Sequence, residues 1–234
     1  MSELIEMNML AKKLNKKNYM PSHVCEVGVW HPKTSNIKYY IDNNTKALLV
    51  EPDPESIELI KREWPDKKHI KLQTFACADF EGSIDLHKAG SSSFTSSSDT
   101  SPAIVNDSFK IKENSSVRVD AKKFSSEDPG DIDLISIDIE GSEWFVLKHM
   151  LSRPNIISIE THGGFYVNPE IMKIKNWMTN HDYVLWFKDN SDSVYVKKGV
   201  IDVTMTEKLM LFLKNIHLFL KKYFKGLKLF IRNQ

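Results

Sequence analysis

Apolar residues along the chain fall into two alternating patterns. Short runs rich in valine, isoleucine and leucine predict buried strands, whereas apolar residues that recur every three or four positions predict helices with one buried face. The runs predict strands at 23–29, 46–50, 69–78, 83–87, 116–119, 133–138, 155–159, 183–187 and 193–196. The spaced pattern predicts helices at 3–17, 35–44, 54–64, 144–151, 169–181 and 206–232.

Strands and helices alternate through most of the chain, and the last two strands form a hairpin around residues 188–192. Such alternation is typical of an α/β fold with a parallel sheet between two layers of helices. We therefore predict a doubly wound, Rossmann-like, mostly parallel sheet with an antiparallel hairpin at one edge. An N-terminal helix within residues 1–20 precedes this domain (residues 21–200), and a C-terminal amphipathic helix (residues 203–234) follows it.

Composition agrees with a globular protein and sets the C-terminal helix apart. Of the 234 residues, 41% are hydrophobic and 27% are charged, and the net charge is +1. Residues 203–234 hold six lysines and one arginine against the single acid Glu207, a net charge of +6, while the remainder holds 25 basic and 30 acidic residues. The predicted domain is therefore mildly acidic and the C-terminal helix is strongly basic.

The C-terminal helix is also divided between basic and apolar residues. Its basic residues fall on about half of a helical wheel, and its large apolar residues fall on the other half. This pattern is typical of a helix that lies in a membrane surface, so we expect a membrane surface as a partner of residues 206–232. Packing on its own domain, or on a second subunit in a homo-oligomer, remains an open alternative. We expect no nucleic-acid partner, because the opposite face is too apolar for a solvated basic arm.

Cysteine usage and the N-terminus bear on the compartment. Cys25 and Cys77 both lie inside strand-like runs, which favours buried free thiols in a reducing compartment. The first residues show no signal-peptide pattern, and no uninterrupted apolar run reaches membrane-spanning length. We expect a cytoplasmic protein that is peripheral on the inner face of the membrane.

Acidic residues end nearly every predicted parallel strand. These residues are Glu26, Glu51, Asp79, Asp138 and Glu160. In an open α/β sheet, ligands bind outside the carboxyl ends of the strands. The carboxylates therefore predict a ligand site along one edge of the sheet.

The first two strand ends indicate a nucleoside ligand. Gly28 lets the backbone approach a ligand closely, and Glu51, 23 residues later, can accept both hydroxyls of a ribose. Neither G-x-G-x-x-G nor G-x-x-x-x-G-K-[ST], the motifs that bind phosphates, is present. We therefore expect an adenosine-like ligand without phosphates. S-adenosylmethionine fits this description, and its cationic amine suits the acid-rich edge.

Several short motifs share their order and spacing with a known family. They are Glu26-Val27-Gly28, Val50-Glu51-Pro52-Asp53-Pro54-Glu55-Ser56, Ala76-Cys77-Ala78-Asp79 and Asp138-Ile139-Glu140-Gly141-Ser142-Glu143. Together they resemble the FkbM-type methyltransferases over about residues 23–165. The resemblance implies a class I, S-adenosylmethionine-dependent O-methyltransferase, and we expect it to act on a hydroxyl of a sugar or glycan, one that can be lipid-linked at the membrane surface. Trp30 and His31 stand where the family usually has small residues. A non-catalytic binding protein that keeps the fold is therefore an open alternative.

The resemblance and the strand ends together assign the cofactor residues. Glu51 is expected to bind the ribose, Gly28 to form the cofactor-facing turn, Glu26 to bind the methionine amine and Asp79 to lie near the adenine. Asp53 and Asp138 complete the predicted cofactor site. Glu143 is expected to support the turn, as a partner of Glu140 or Gly141.

Methyl transfer needs an acceptor oxygen in line with the sulfonium and a way to remove the proton of the hydroxyl. His162 is the candidate general base, and Asp138 and Glu160 are the further catalytic candidates. In an alternative, Asp138, Glu160 and His162 bind a divalent metal ion that acidifies the hydroxyl. The segment Ser91–Ser98 is predicted to be a lid or an acceptor-contacting loop, with disorder as the alternative.

Overall fold

The computed structural model describes residues 7–65, 67–88, 93–95, 101, 104–105, 116–163, 165–189 and 191–232, of which 222–232 are described by their backbone alone. Residues 1–6, which include the start of the predicted N-terminal helix, lie outside the described residues. Most of the predicted lid, at 91–98, does so too.

Thirteen strands are present in the described residues, and seven of them form the central sheet. The strands are β1 (His23–Val27), β2 (Lys46–Val50), β3 (Ile70–Gln73), β4 (Ala76–Cys77), β5 (Gly82–His87), β6 (Phe94–Thr95), β7 (Ser116–Lys122), β8 (Leu134–Ile137), β9 (Ile156–Glu160), β10 (His162–Gly163), β11 (Tyr166–Val167), β12 (Tyr183–Lys188) and β13 (Asp192–Lys197). The central sheet has the order β12-β13-β9-β8-β1-β2-β3. Six strands of this sheet run in the same direction, and β13 runs in the opposite direction between β12 and β9.

Among the described residues, six α-helices with assigned bounds precede, connect or follow these strands. They are α1 (Met9–Lys16), α2 (Lys38–Asp42), α3 (Pro54–Glu63), α4 (Glu143–His149), α5 (Ile171–Asn180) and α6 (Met205–Arg232). Successive side chains of a strand point to opposite faces of a sheet. Val27 and Ile137 accordingly pack with α4 and α5 on one face, while Val24 and Leu134 pack with α1, α2 and α3 on the other. The predicted doubly wound, mostly parallel sheet with an edge hairpin is confirmed.

The strand predicted at 69–78 is wrong as a single element. It is split into β3, which pairs with β2 in the central sheet, and β4, which pairs with β7 in a second sheet of order β4-β7-β5-β6. The buried Phe75 lies at the break and joins the core of the central sheet. Both cysteines are free and buried, as predicted.

The C-terminal helix α6 is anchored to the domain near its first turn. Glu207 accepts hydrogen bonds from Lys17 Nζ at 2.7 Å, Trp186 Nε1 at 2.9 Å and the backbone N–H of Thr204 at 2.9 Å. Burial opposes ionisation of this carboxyl, but the donors prevail and lower the pKa of Glu207 to about 2. This single acid of the helix is therefore used to attach it to the domain.

Most of α6 turns its apolar side away from the domain. Between residues 205 and 221, the half-buried positions are Glu207, Leu211, Lys214, Leu218. The large apolar residues on the other side are exposed, namely Leu209, Phe212, Leu213, Ile216, Phe219 and Leu220. At roughly 100° per residue, the two sets lie on opposite sides of the helix. In the part of the helix whose side chains are described, the apolar face does not pack on its own domain. No helix within the described residues is long and apolar enough to cross a membrane.

Candidate active site

A cavity of about 380 Å³ opens at the carboxyl ends of β1, β2 and β8. Five of the six residues predicted to bind the cofactor line it, namely Glu26, Gly28, Glu51, Asp53 and Asp138. The volume lies within the range of roughly 300–1,000 Å³ that small-molecule sites have. The structure thus brings most of the predicted cofactor residues together in one place.

Gly28 is required where β1 and β8 end side by side. Its φ is +84°, and a Cβ atom at this position would lie 1.8 Å from the carbonyl oxygen of Asp138. Its own N–H donates to the carbonyl of Val50 at 2.9 Å. A side chain here would therefore push the end of β1 away from the end of β8. The glycine lines the cavity as predicted, but the contact that demands it is between backbones.

Glu51 organises the turn after β1. Its Oε2 accepts hydrogen bonds from the backbone N–H groups of Val29 and Trp30, both at 2.8 Å, and its Oε1 accepts one from Asp53 N–H at 2.9 Å. Burial raises the pKa of the Glu51 carboxyl, and these three donors act against that rise. Each carboxylate oxygen has two acceptor positions, so Oε1 keeps one for a ligand hydroxyl.

Asp53 combines a structural role with an open acceptor. Its Oδ2 caps α3 by accepting from Ser56 N–H at 3.0 Å, while Pro54 occupies the first turn of the helix. Its Oδ1 is buried and accepts no hydrogen bond within the described part of the chain, and Lys88 Nζ lies 3.6 Å from it as an ion-pair partner. Together with the free position on Glu51, this oxygen can receive the second hydroxyl of a ribose.

Glu26 is held inside the site by the segment that precedes α2. Its Oε1 accepts from Asn36 N–H at 2.8 Å, and its Oε2 accepts from the Ser35 hydroxyl. Burial raises the pKa of Glu26 to about 8, against the lowering effect of Ser35 and Asn36. A cation in the cavity, such as an amine, would favour the ionised form of this carboxyl.

Asp79 is not part of the cavity. Its exposed carboxylate is bound by Lys148 Nζ at 2.7 Å and by His149 Nε2 at 2.6 Å, on the surface beside α4. Those two donors lower its pKa. Its position gives no support to the predicted contact with adenine, because Ala76 and Cys77 of β4 line the cavity but Asp79, beyond the strand, is held at the outer surface by α4.

Three acidic residues meet at the ends of β8 and β9. One oxygen of each of Asp138, Glu140 and Glu160 lies within 4.8 Å of the others. Burial raises the pKa of Asp138, and the neighbouring charge of Glu143 adds to the rise. Burial and the charges of Asp138, Glu143 and Glu140 likewise raise the pKa of Glu160. Asp138 and Glu140 face the cavity, whereas Glu160 lies behind them.

His162 does not line the cavity, and it does not belong to the cluster of three acids. The structure therefore does not bring together the predicted metal set of Asp138, Glu160 and His162, because Glu140 lies beside the two acids in place of the histidine. Residue 162 belongs to the short ribbon β10–β11, where Thr161 Oγ1 lies 2.9 Å from its Nδ1. Burial, reinforced by the charge of Lys188, lowers the pKa of His162 to about 4.

Glu143 supports the turn between β8 and α4. Its Oε1 accepts from the backbone N–H groups of Ile139 and Gly141, both at 3.0 Å, and its other oxygen accepts from Asn168 Nδ2. Asn168 is buried and also donates to the Glu160 carbonyl at 3.4 Å. These contacts agree with the structural role expected of Glu143, and they add Asn168, which sequence reasoning did not find.

Two further polar residues of the cavity were also missed. Asp192, the first residue of β13, accepts from Ser158 Oγ at 2.9 Å and from Asn36 Nδ2 at 3.4 Å. Burial, followed by the charge of Asp138, raises the pKa of Asp192. Both Asp192 and Asn36 line the cavity. The signal that could have found Asp192 is its place opposite Glu160 in the antiparallel pair β13–β9.

Two of the five non-glycine residues with positive φ in the described chain lie at the cavity. Trp30 and Glu140 line it and have φ values of +49° and +58°, in the left-handed region that glycine favours. Such positions cost on the order of 1–3 kcal/mol and persist only where their surroundings fix them. Ser93 and Thr95, from the predicted lid, also line the cavity, and the intervening Phe94 is buried in β6. The described part of that segment is thus a strand beside the site.

Several solved structures to which this chain is similar are described as methyltransferases. The methyltransferase domain of bacterial CtHen1 matches at 9% identity and a TM-score of 0.44, covering 80% of this chain and 94% of that one. The ribosomal protein L11 methylase of Lactobacillus delbrueckii subsp. bulgaricus matches at 12% identity and a TM-score of 0.44, covering 84% of this chain and 83% of that one. TrmK of M. capricolum, in complex with S-adenosyl-homocysteine, matches at 12% identity and a TM-score of 0.40, covering 83% of this chain and 71% of that one. Similarities this low carry no information about what the present protein methylates.

Sequence comparison identifies the family directly. No curated protein matches the chain significantly. The family model described as the methyltransferase FkbM domain matches residues 22–185, which is most of the chain and includes β1 to β11 and the start of β12. The sheet order, the glycine turn after β1 and the acid after β2 are the features that the FkbM resemblance implied. The chain belongs to the FkbM methyltransferase family.

Proposed function

We propose that this protein is an S-adenosylmethionine-dependent O-methyltransferase of a sugar or glycan hydroxyl and that it works at a membrane surface. Family membership makes it a methyltransferase and implies the cofactor. One observation carries the choice of acceptor. The cavity is lined by the acids Glu26, Glu51, Asp138, Glu140 and Asp192, and no lysine or arginine lies among its described lining residues.

An acid-lined cavity selects against polyanionic acceptors. A phosphate backbone is bound through lysine and arginine side chains, and those are lacking in the described cavity wall. Neutral hydroxyl groups, by contrast, donate hydrogen bonds to carboxylates and accept them from amides. Asp192, with Asn36 beside it, offers such groups close to Asp138, whose charge raises the pKa of Asp192. A neutral polyol such as a sugar therefore fits this site better than RNA does.

The chain's own residues divide the work between two ends of the cavity. When bound, S-adenosylmethionine supplies an electrophilic methyl group on its sulfonium. Glu51 and Asp53 are placed to hold ribose hydroxyls, and Glu26 is placed to attract the amine. Asp138 and Glu140 are placed to orient the acceptor hydroxyl at the other end, so that its oxygen can align with the methyl group.

Labelled methyl transfer tests the proposal. The purified protein is incubated with methyl-labelled S-adenosylmethionine and with neutral glycans, RNA and peptides in parallel, and products are identified by mass spectrometry. We expect label on a glycan hydroxyl. Label on RNA or peptide alone would refute the acceptor class. Failure to bind S-adenosyl-homocysteine in calorimetry would refute the enzyme and leave the non-catalytic alternative.

The membrane part of the proposal is supported by α6. Its exposed apolar residues, such as Phe212 and Phe219, are 60% and 70% accessible to solvent. Lys214, on the docked face, shares a surface pocket with Lys188 at the carboxyl end of β12. The helix therefore passes the sheet edge at which the cavity opens, and it continues for about 27 Å beyond Lys214. An apolar face on a basic helix is suited to an anionic lipid surface.

Charge favours lipid over a second copy of the chain as the occupant of this face. The segment 203–234 carries a net charge of +6, and Glu207, its only acid, is already bound to Lys17. Two such basic helices packed together would repel each other, whereas anionic lipid head groups would neutralise the lysine charges on either side of the apolar face.

Vesicle flotation with matched variants tests the membrane surface. Phe212 and Leu151 are both 60% exposed, but only Phe212 lies on α6. Phe212→Glu should weaken binding to phosphatidylserine vesicles by roughly tenfold, because an apolar anchor becomes an acid, while Leu151→Glu should bind like the wild type. Equal binding of both variants would refute the proposal. If the wild type is a dimer in analytical ultracentrifugation and Phe212→Glu is a monomer, the apolar face of α6 binds a second subunit and not lipid.

A further inference from the structure

The three clustered acids lie where the floor of the cavity meets the ends of β8 and β9. Asp138 follows β8, Glu160 ends β9, and Glu140 lies in the turn before α4. Two oxygens bound to one Ca²⁺ ion at about 2.3–2.6 Å can lie up to roughly 5 Å apart. The observed limit of 4.8 Å among the three ligand atoms meets this requirement.

Glu140 and Glu160 are buried and Asp138 is half-buried, and Asp138 and Glu160 have no cationic partner within the described residues. Glu160 is only 6% exposed, and its Oε2 has no hydrogen-bond partner within the described chain, which is also true of Oδ1 of Asp138. Neither residue forms an ion pair with a described lysine or arginine. Burying ionised carboxylates side by side costs several kcal/mol unless an opposite charge balances them. The missing charge can come from one small cation.

The choice of cation follows from the ligand atoms. Carboxylate oxygens are hard donors that prefer Mg²⁺, Mn²⁺ and Ca²⁺, whereas zinc sites usually include cysteine or histidine. His162 lies outside the cluster, and both cysteines are elsewhere in the core. Glu140 is brought into the group by a strained backbone with φ +58°. Strain of this kind is typical of functional sites.

We propose that Asp138, Glu140 and Glu160 bind one divalent cation of the Mg²⁺, Mn²⁺ or Ca²⁺ class at the floor of the cavity. Three carboxylates leave coordination positions open for water or ligand, and Asp138 and Glu140 place those positions on the cavity side. A sugar hydroxyl can occupy one of them. This last step rests on the proposed methyl transfer, whereas the binding of the cation does not.

Metal titration without cofactor tests the site. The full-length protein is freed of metal with a chelator and titrated with Mn²⁺, and free Mn²⁺ is followed by electron paramagnetic resonance. We expect one Mn²⁺ per chain and a higher melting temperature on binding. Glu160→Gln should weaken binding at least tenfold, whereas Glu58→Gln, which alters an acid that is 57% exposed, should not change it.

Four outcomes are informative. No saturable Mn²⁺ binding, or equal binding by Glu160→Gln and the wild type, overturns the cation site. If no saturable binding is found and Glu160→Gln also melts at a higher temperature than the wild type, the three acids are held together by shared protons and not by a cation. Mn²⁺ binding without any methyl transfer overturns the proposed function and leaves the site intact. Full methyl transfer in the presence of chelator overturns the role of the cation toward the acceptor.

Discussion

Replacement of Gly28 by alanine gives the sharpest test of how the cavity is built. The added Cβ would lie 1.8 Å from the Asp138 carbonyl oxygen and 2.8 Å from its carbon, both of them backbone atoms that cannot rotate away. The residue would also keep a φ near +84°. Two separate costs therefore apply, one for the backbone conformation and one for the clash.

The two costs can be separated by a matched control. Gly130 has a nearly identical φ of +82°, but an added Cβ there would meet nothing within 4 Å. Gly130→Ala should lower the unfolding free energy by the conformational cost alone, about 1–2 kcal/mol. Gly28→Ala should lower it by a further ~1–3 kcal/mol, because the ends of β1 and β8 must move apart.

Urea unfolding, followed by circular dichroism, measures both variants against the wild type. Thermal unfolding checks the same difference, because in a chain of this length each kcal/mol of lost stability lowers the melting temperature by about 2–4 °C. Calorimetry with S-adenosyl-homocysteine provides the second readout, in which only Gly28→Ala should lose affinity. Equal destabilisation of the two variants would show that the strand ends yield without cost and would refute the argument.

Three further predictions follow from named contacts. Glu51→Gln should weaken S-adenosyl-homocysteine binding by roughly 10–100-fold in calorimetry, because the anionic acceptor for backbone and ribose donors is lost. Asn168→Ala should lower the unfolding free energy by about 2–3 kcal/mol, because the buried Glu143 carboxylate loses a donor. At neutral pH, Glu207→Gln should cost about 1–2 kcal/mol. The folded pKa of Glu207, about 2, lies below its usual value, so this difference should be full above about pH 4.5 and vanish as the pH falls toward 2.

The first two of these have a control variant in the same chain. Glu58→Gln should leave cofactor affinity unchanged, since Glu58 lies on the exposed side of α3, where it pairs with Lys61. Asn43→Ala should change stability by less than about 0.5 kcal/mol, because its side chain is exposed. If the Glu207→Gln difference stayed constant between pH 7 and pH 2, the attachment of α6 through an ionised carboxylate would be wrong.

The strands and helices of the central domain could be predicted because each carries its own period. The isoleucine-rich run before Asp138 is buried on both faces, as parallel strands are, and the Pro54–Glu63 helix starts at the cap that its sequence indicates. The strand ends also located five residues that line the cavity, namely Glu26, Gly28, Glu51, Asp53 and Asp138. Local pattern was enough here because one parallel topology follows from it.

What sequence reasoning missed depends on contacts between distant parts of the chain. The strand expected at 69–78 breaks because β4 finds a partner in β7, more than 40 residues later, and this pairing carries Asp79 out of the site. Asp192 was assigned to a hairpin loop, although antiparallel pairing places it opposite Glu160. His162 follows β9 as predicted, but the short ribbon β10–β11 holds it away from the cavity.

The positive φ values of Trp30 and Glu140 have a consequence for how this protein can be stabilised. Strain kept at a ligand site lowers the stability of the whole fold, so substitutions that relieve it raise the melting temperature. Asparagine tolerates the left-handed region, and Trp30 is 43% exposed, so Trp30→Asn gives up little buried surface. Trp30→Asn should therefore raise the melting temperature, and it keeps the backbone N–H that donates to Glu51.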